Sequence, residues 1–125
     1  MIEAFEVKAI ARHIGISPQK VRLVIDTVRG KDAEEALEIL RFMPNRAAEP
    51  VFKLVQSAIA NAEENFGMEA DDLFISRIYA DEGPRTRLRP YGGRFGARGR
   101  FKPILRRTSH ITVILSEREA ADYLE

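Results

Sequence analysis

The chain has 125 residues, of which 45% are hydrophobic and 31% charged, a composition typical of one soluble domain with a modest core. It contains no cysteine, which excludes disulfides, a thiolate nucleophile and a cysteine-based zinc site. The net charge of +1 conceals an asymmetry: residues 83–116 hold 9 Lys/Arg and no acid, whereas residues 1–82 hold 10 Lys/Arg and 15 Asp/Glu. A segregated basic block in a nearly neutral chain predicts a segment that binds a polyanion.

Membrane and secretory signals are missing from the sequence. No apolar run approaches the roughly 18 residues of a membrane span, and the first residues lack the pattern of a signal peptide. We therefore expect no membrane partner.

The first predicted element is a strand in the stretch AFEVKAIARHI, residues 4–14. Val7, Ala9 and Ala11 alternate with Glu6 and Lys8, the period-two pattern of a half-buried strand.

A capped helix follows in the stretch ISPQKVRLVIDTVRGKD, residues 16–32. Ser17 is the candidate N-cap, Pro18 suits the first helical position and Gly30 suits the end. The apolar stripe of this helix comprises Val21, Val24, Ile25 and Val28.

Two further helices are predicted before the next strand. The second begins after Asp32 and ends before Pro44, and the third runs to about Phe66. Pro50 leaves two alternatives, because proline inside a helix removes a backbone hydrogen bond: the helix begins near Glu49, or it kinks at Pro50.

Two strand-like stretches flank the basic block. They are DLFISRIYADEG, residues 72–83, and SHITVILS, residues 109–116, in which alternate residues are predicted to face the core. Strands at both ends predict a long β-hairpin between them. About 25 residues folded back on themselves reach roughly 40 Å, whereas a domain of this size has a radius of gyration of only about 14 Å. We therefore expect a single domain over residues 1–125 with an extended basic arm over residues 84–106.

The chemistry of the arm suits RNA. Arg85, Arg87 and Arg89 alternate, so an extended strand would place them about 6.6 Å apart on one face, near the spacing of phosphates along a strand. Tyr91 lies among the cations, and aromatic rings stack on unpaired bases. The other candidate RNA-binding cations of the arm are Arg94, Arg98, Arg100 and Lys102. The alternative for such a tract is a disordered, soluble segment.

Four stretches resemble the bacterial family of large-subunit ribosomal protein twenty-two. They are AIARHIGISPQKVRLVIDTVRGK (residues 9–31), RAAEPVFKLVQSAIANAEENFG (46–67), YADEGPR (79–85) and RRTSHITVIL (106–115), in order over most of the chain. The resemblance implies an α+β fold in which three helices pack on a small three-stranded antiparallel sheet, with a long protruding β-hairpin. It also implies RNA-facing positions for Lys20, Arg22, Arg106, Arg107, Ser109 and His110.

The resemblance further implies a function without catalysis. The family binds large-subunit ribosomal RNA, supports assembly of that subunit and lines the nascent-peptide exit tunnel with its hairpin. The implied partners are this RNA, neighbouring large-subunit proteins and the nascent peptide, in the cytoplasmic ribosome. We expect no cofactor, no metal, no obligate homo-oligomer and no enzymatic activity.

Two rival functions can be distinguished from this one. A free regulatory RNA- or DNA-binding protein needs a motif that reads base edges, and the sequence offers none. An enzyme needs a polar constellation, and His13 and His110, about a hundred residues apart, make a poor catalytic or metal site. His110 is better explained as a hydrogen-bonded or RNA-contacting residue.

Overall fold

The computed structural model describes residues 6–84, 86–87, 93–95, 101–103 and 105–117. Three helices pack against a three-stranded antiparallel sheet, which confirms the α+β prediction. The helices are α1 (Pro18–Val28), α2 (Ala33–Arg41) and α3 (Ala48–Phe66), with a 3-10 turn at Ala70–Asp72. The sheet strands are β1 (Glu6–Ile14), β2 (Leu73–Glu82) and β7 (Ser109–Glu117).

The last strand in the sequence occupies the centre of the sheet, in the order β1-β7-β2. At its start, Ser109 lies opposite Ile14 of β1 and Glu82 of β2. The chain therefore returns from the basic block into the middle of the sheet, beside the end of β1 and the end of β2. This position brings the residues before β7 close to the loop that leads from β1 into α1.

The ends of the helices follow their local sequence signals. Ser17 is the N-cap of α1 and Pro18 its first residue, while Gly30 adopts a left-handed φ of 78° just after the helix. The helix α3 begins at Ala48, so Pro50 lies in its first turn, where its missing N–H costs nothing. Of the two alternatives for Pro50, the structure therefore has the first, a helix that begins near Glu49. Gly67, with φ 63°, ends α3 as its C-cap.

The core lies between the helices and one face of the sheet. Ile111, Val113 and Leu115 are fully buried, as their alternation predicts. Thr112 and Ile114 were predicted for the opposite face, and they are buried as well. The reason is the central position of β7, which has a strand on each side. From the helices the core receives Val21, Val24, Ile25, Val28, Ala36, Leu40, Val51, Leu54, Val55, Ala58 and Ala62.

The described parts of the basic arm form two short antiparallel ladders. In one, β3 (Thr86–Arg87) pairs with β6 (Leu105–Arg106). In the other, β4 (Gly93–Phe95) pairs with β5 (Phe101–Pro103). Both ladders have the antiparallel register of a β-hairpin. How far the arm extends from the domain stays a prediction.

None of the helices in the described part of the chain is long and apolar enough to cross a membrane.

Candidate nucleic-acid interface

The arm contains most of the predicted RNA-binding residues. The backbone register sets Arg94 opposite Lys102 and Arg87 opposite Leu105, while Arg106 lies opposite Thr86. The remaining predicted residues of the arm, Arg85, Arg89, Tyr91, Arg98 and Arg100, lie outside the described residues.

The root of the arm is fastened by two hydrogen bonds. The Gly83 N–H donates to the Thr108 carbonyl oxygen at 2.8 Å, and the Thr108 hydroxyl donates to the Pro84 carbonyl oxygen at 2.8 Å. A Cβ at position 83 would clash with Thr108 Oγ1 and would lie 3.3 Å from His110 Cε1. Glycine is therefore required here by close approach, and the two legs of the arm leave the domain side by side.

The two histidines meet beside this root. The His13 backbone N–H donates to Nδ1 of His110 at 3.1 Å, and the two rings stand edge to face with centroids 5.0 Å apart. His13 has a left-handed φ of 58° at the irregularity in β1 between Ala11 and Ile14. His110 is thus hydrogen-bonded, which is one of the two roles expected for it, and its contact with RNA stays a prediction.

Two of the residues predicted to face RNA make bonds within the protein. Ser109 is fully buried, and its hydroxyl donates to the Ile16 carbonyl oxygen. This bond holds the loop before α1, and a contact between Ser109 and RNA stays a prediction. Arg22 donates from Nη2 to the Ala80 carbonyl oxygen at 2.9 Å, which ties α1 to β2 and leaves its other N–H groups for further contacts.

The two other predicted cations, Lys20 and Arg107, come together around one cleft of about 530 Å³. We call it the α1 cleft. Three segments form it: the start of α1 with the loop before it, the loop from α2 to α3, and Arg107 at the end of the arm. Its lining residues are Gly15, Ile16, Ser17, Lys20, Leu23, Asn45, Arg46, Ala47 and Arg107.

The α1 cleft contains residues that the sequence did not single out. Arg46 is a third cation of the cleft, and Asn45 and Leu23 line it as well. The sequence does contain a local sign that Arg46 belongs to a basic surface, since residues 39–48 include Arg41 and Arg46 and no acidic residue. Nothing in the sequence, however, connects this loop with Lys20 or Arg107.

The cations of the α1 cleft lack acidic partners among the described residues. The ion pairs of the described residues join Arg29 to Asp26 at 2.7 Å and Lys53 to Glu49 at 3.1 Å. None of these four residues lines the α1 cleft. No carboxylate lines the cleft. Three like charges around one cleft repel each other, so the site favours an anion. Within the described ranges, no group of three or more His, Asp or Glu side chains is arranged to hold a metal ion.

The fold and the cleft define a small α+β protein that presents cations without acidic partners around a concave site, an arrangement that favours an anionic ligand. The family model of ribosomal protein L22p/L17e matches residues 9–116. The chain therefore belongs to the L22p/L17e family of ribosomal proteins, whose members serve as structural rather than catalytic components.

Curated relatives agree with this assignment. The chain is 50% identical over 115 residues to proteins named large ribosomal subunit protein uL22 from Desulfitobacterium hafniense strains Y51 and DSM 10664 / DCB-2, which covers 91% of this chain and 96% of each relative. The protein of the same name from Desulforamulus reducens is 50% identical over the same length, with 97% of it covered. The family is thus one of large-subunit ribosomal proteins.

Proposed function

We propose that this chain is a structural constituent of the large ribosomal subunit and binds its ribosomal RNA through the α1 cleft and the basic arm. The observation that carries the proposal is the family match over residues 9–116, together with relatives whose names place them in the large subunit. The unpaired cations of the α1 cleft support it, because RNA supplies the anions that these side chains lack within the described chain.

The finer parts of the proposal concern assembly and the exit tunnel. Residues 1–125 act as one domain that docks on the RNA surface, and the arm over residues 84–106 reaches inward, lines the nascent-peptide tunnel and supports assembly of the subunit. Its partners are ribosomal RNA, neighbouring large-subunit proteins and the nascent peptide, in the cytoplasm. The domain needs no second copy of itself, because the RNA covers its cations.

Incorporation into subunits tests the proposal. Arg98, Arg100 and Lys102 are changed together to glutamate, and sedimentation after a high-salt wash measures how much protein travels with large subunits. We expect incorporation to be abolished while the thermal unfolding of the domain stays unchanged, because the reversed charges repel phosphates without altering the core.

The matched control reverses three exposed lysines of the domain, Lys8, Lys31 and Lys53, and should still be incorporated. Normal incorporation of the arm variant would contradict the role of the arm. Release of the unaltered protein by the salt wash would instead support the rival, a free regulatory RNA-binding protein. In the same subunits, a photo-cross-linker in place of Tyr91 should capture the nascent peptide, and failure to do so would remove the tunnel from the proposal.

A further inference from the structure

The α1 cleft has the size of a site for a small molecular group rather than of a flat contact. Its volume of about 530 Å³ lies within the range of roughly 300–1,000 Å³ that is usual for ligand sites. A single phosphate needs much less room than this. The cleft therefore has space for a phosphate together with the sugar and base attached to it.

The chemistry of the walls divides the α1 cleft into two parts. Lys20, Arg46 and Arg107 supply positive charge, whereas Leu23 supplies an apolar surface that is 66% exposed to solvent. The other apolar residues of α1, such as Val24 and Ile25, are buried in the core. An exposed leucine beside unpaired cations suits a ligand that is charged at one end and apolar at the other.

Asn45 adds a group that can recognise a base. Its side-chain amide carries both a hydrogen-bond donor and an acceptor, and it lines the same cleft as Arg46, its neighbour in the loop. Amide side chains of this kind bind the edges of bases, whereas cations that contact only phosphates carry no sequence information. The cleft thus combines the contacts that a complete nucleotide requires.

We propose that the α1 cleft holds one unpaired nucleotide of the RNA, with its phosphate on Lys20, Arg46 and Arg107 and its base against Leu23 and Asn45. The proposal rests on the function proposed above, since it names what part of the RNA this site binds. The nucleotide is unpaired because the bases of a paired RNA helix are stacked on each other and their edges face a deep, narrow major groove that side chains cannot read. Base identity is then read at the domain, whereas the cations of the arm contact phosphates of any sequence.

Salt-dependent binding separates the two parts of the site. Binding of the full chain to large-subunit ribosomal RNA is measured by filter retention between about 50 and 300 mM salt. Arg46→Ala should lower the affinity and reduce the slope of log affinity against log salt by about 0.7–0.9, one phosphate contact. Leu23→Ala and Asn45→Ala should each lower the affinity by about tenfold and leave the slope unchanged, because neither contact releases a counterion.

Matched controls come from the same chain. Lys31→Ala also removes one exposed cation, but it lies beyond the far end of α1, about 16 Å of helix from the cleft. Phe66→Ala removes an apolar side chain that is 52% exposed at the end of α3. Both should bind RNA like the unaltered protein. All five variants change exposed positions, and their thermal unfolding should remain within a few degrees of the original.

Each outcome has a distinct meaning. If Arg46→Ala changes neither affinity nor slope, the proposal is overturned. If Arg46→Ala acts as expected but Leu23→Ala and Asn45→Ala have no effect, the cleft binds a phosphate alone, and the nucleotide proposal fails. If all variants bind RNA normally and yet fail to enter subunits, the cleft binds a protein instead, which also overturns it. Failure of the unaltered chain to bind the RNA would refute the proposed function itself.

Discussion

The clefts at the start of α1 and at the start of α2 carry opposite charge, and their comparison explains how the domain is organised. At the start of α1, the α1 cleft holds Lys20, Arg46 and Arg107 without a carboxylate. Beyond the end of α1, a second cleft of about 290 Å³ is lined by acidic residues and Ala70, without a cation. The acidic residues are Asp32, Glu34, Glu35, Glu38 and Asp71. We call these two regions the basic end and the acidic end.

Like charges are held together at both ends, at a cost to the free protein. At the acidic end, a hydrogen bond with Asp71 and the negative charge of that residue raise the pKa of Glu34. Opposite charges on a small domain orient it in the field of a polyanion. A polyanion such as the proposed RNA would be attracted to the basic end and repelled from the acidic end, so the distribution of charge favours one docking orientation although the net charge is only +1.

The largest expected effect comes from reversing charge at each end. Lys20→Glu with Arg107→Glu should lower the affinity for large-subunit ribosomal RNA by about 100-fold at 0.1 M salt, because two phosphate contacts become repulsive. Glu35→Lys with Glu38→Lys changes the net charge equally in the opposite direction and should alter the affinity by less than about threefold. Filter binding measures both. If the two double variants changed the affinity for RNA by equal factors in opposite directions, the net charge of the protein, and not the location of its charges, would govern binding.

A smaller effect is expected from alanine at two glycines that lie outside both clefts. Gly83, at the root of the arm, has no room for a Cβ beside Thr108, so Gly83→Ala should lower the free energy of unfolding by about 1–3 kcal/mol. Gly67, at the end of α3, has open space around it but a φ of 63°, so Gly67→Ala should cost about 1 kcal/mol through backbone strain alone. Urea denaturation measures both variants.

A second substitution distinguishes these two causes. Thr108→Ala removes the Oγ1 atom that the new Cβ would meet, and it should therefore relieve part of the cost of Gly83→Ala. It should not change the cost of Gly67→Ala. If the double variant lost as much unfolding free energy as Gly83→Ala and Thr108→Ala together, the clash with Thr108 would not be the reason that position 83 requires glycine.

The smallest expected effect concerns pH at the acidic end. Because the pKa of Glu34 is raised, the folded protein binds more protons than the unfolded chain just above pH 4.5, the ordinary value for this group, and stability rises as the pH falls through that window. Glu34→Gln should raise the melting temperature slightly at pH 7, and the gain should vanish as the pH falls towards 4.5. Glu64→Gln, on α3 outside this cleft, controls for the loss of one charge. A gain that persists at low pH would contradict the role of the Glu34–Asp71 contact.

Much of the fold was accessible from local sequence signals. Signals that involve only a few neighbouring residues can be read directly from the sequence. They include the start of α1 at Ser17 and Pro18, the left-handed glycines at positions 30 and 67, and the alternation of β7. The burial of Thr112 and Ile114 was missed, because alternation predicts one buried face and says nothing of the strands on either side.

The candidate site was only partly accessible. The basic block and Lys20 could be found by composition and by resemblance, but nothing in the sequence indicated that the rings of His13 and His110 lie 5.0 Å apart. The sequence also gave no sign that the fold buries the Ser109 hydroxyl against Ile16. Neither distance along the chain nor position in a motif gives position in space.

The sequence by itself determined which segments form helices and strands and which segment carries the excess of cations, because these properties depend on neighbouring residues and on composition. Only the tertiary structure decided that Lys20, Arg46 and Arg107 share one cleft. The physical reason is that burial of the apolar faces of α1, α3 and β7 in a common core fixes the loops between them, and those loops bring distant cations together.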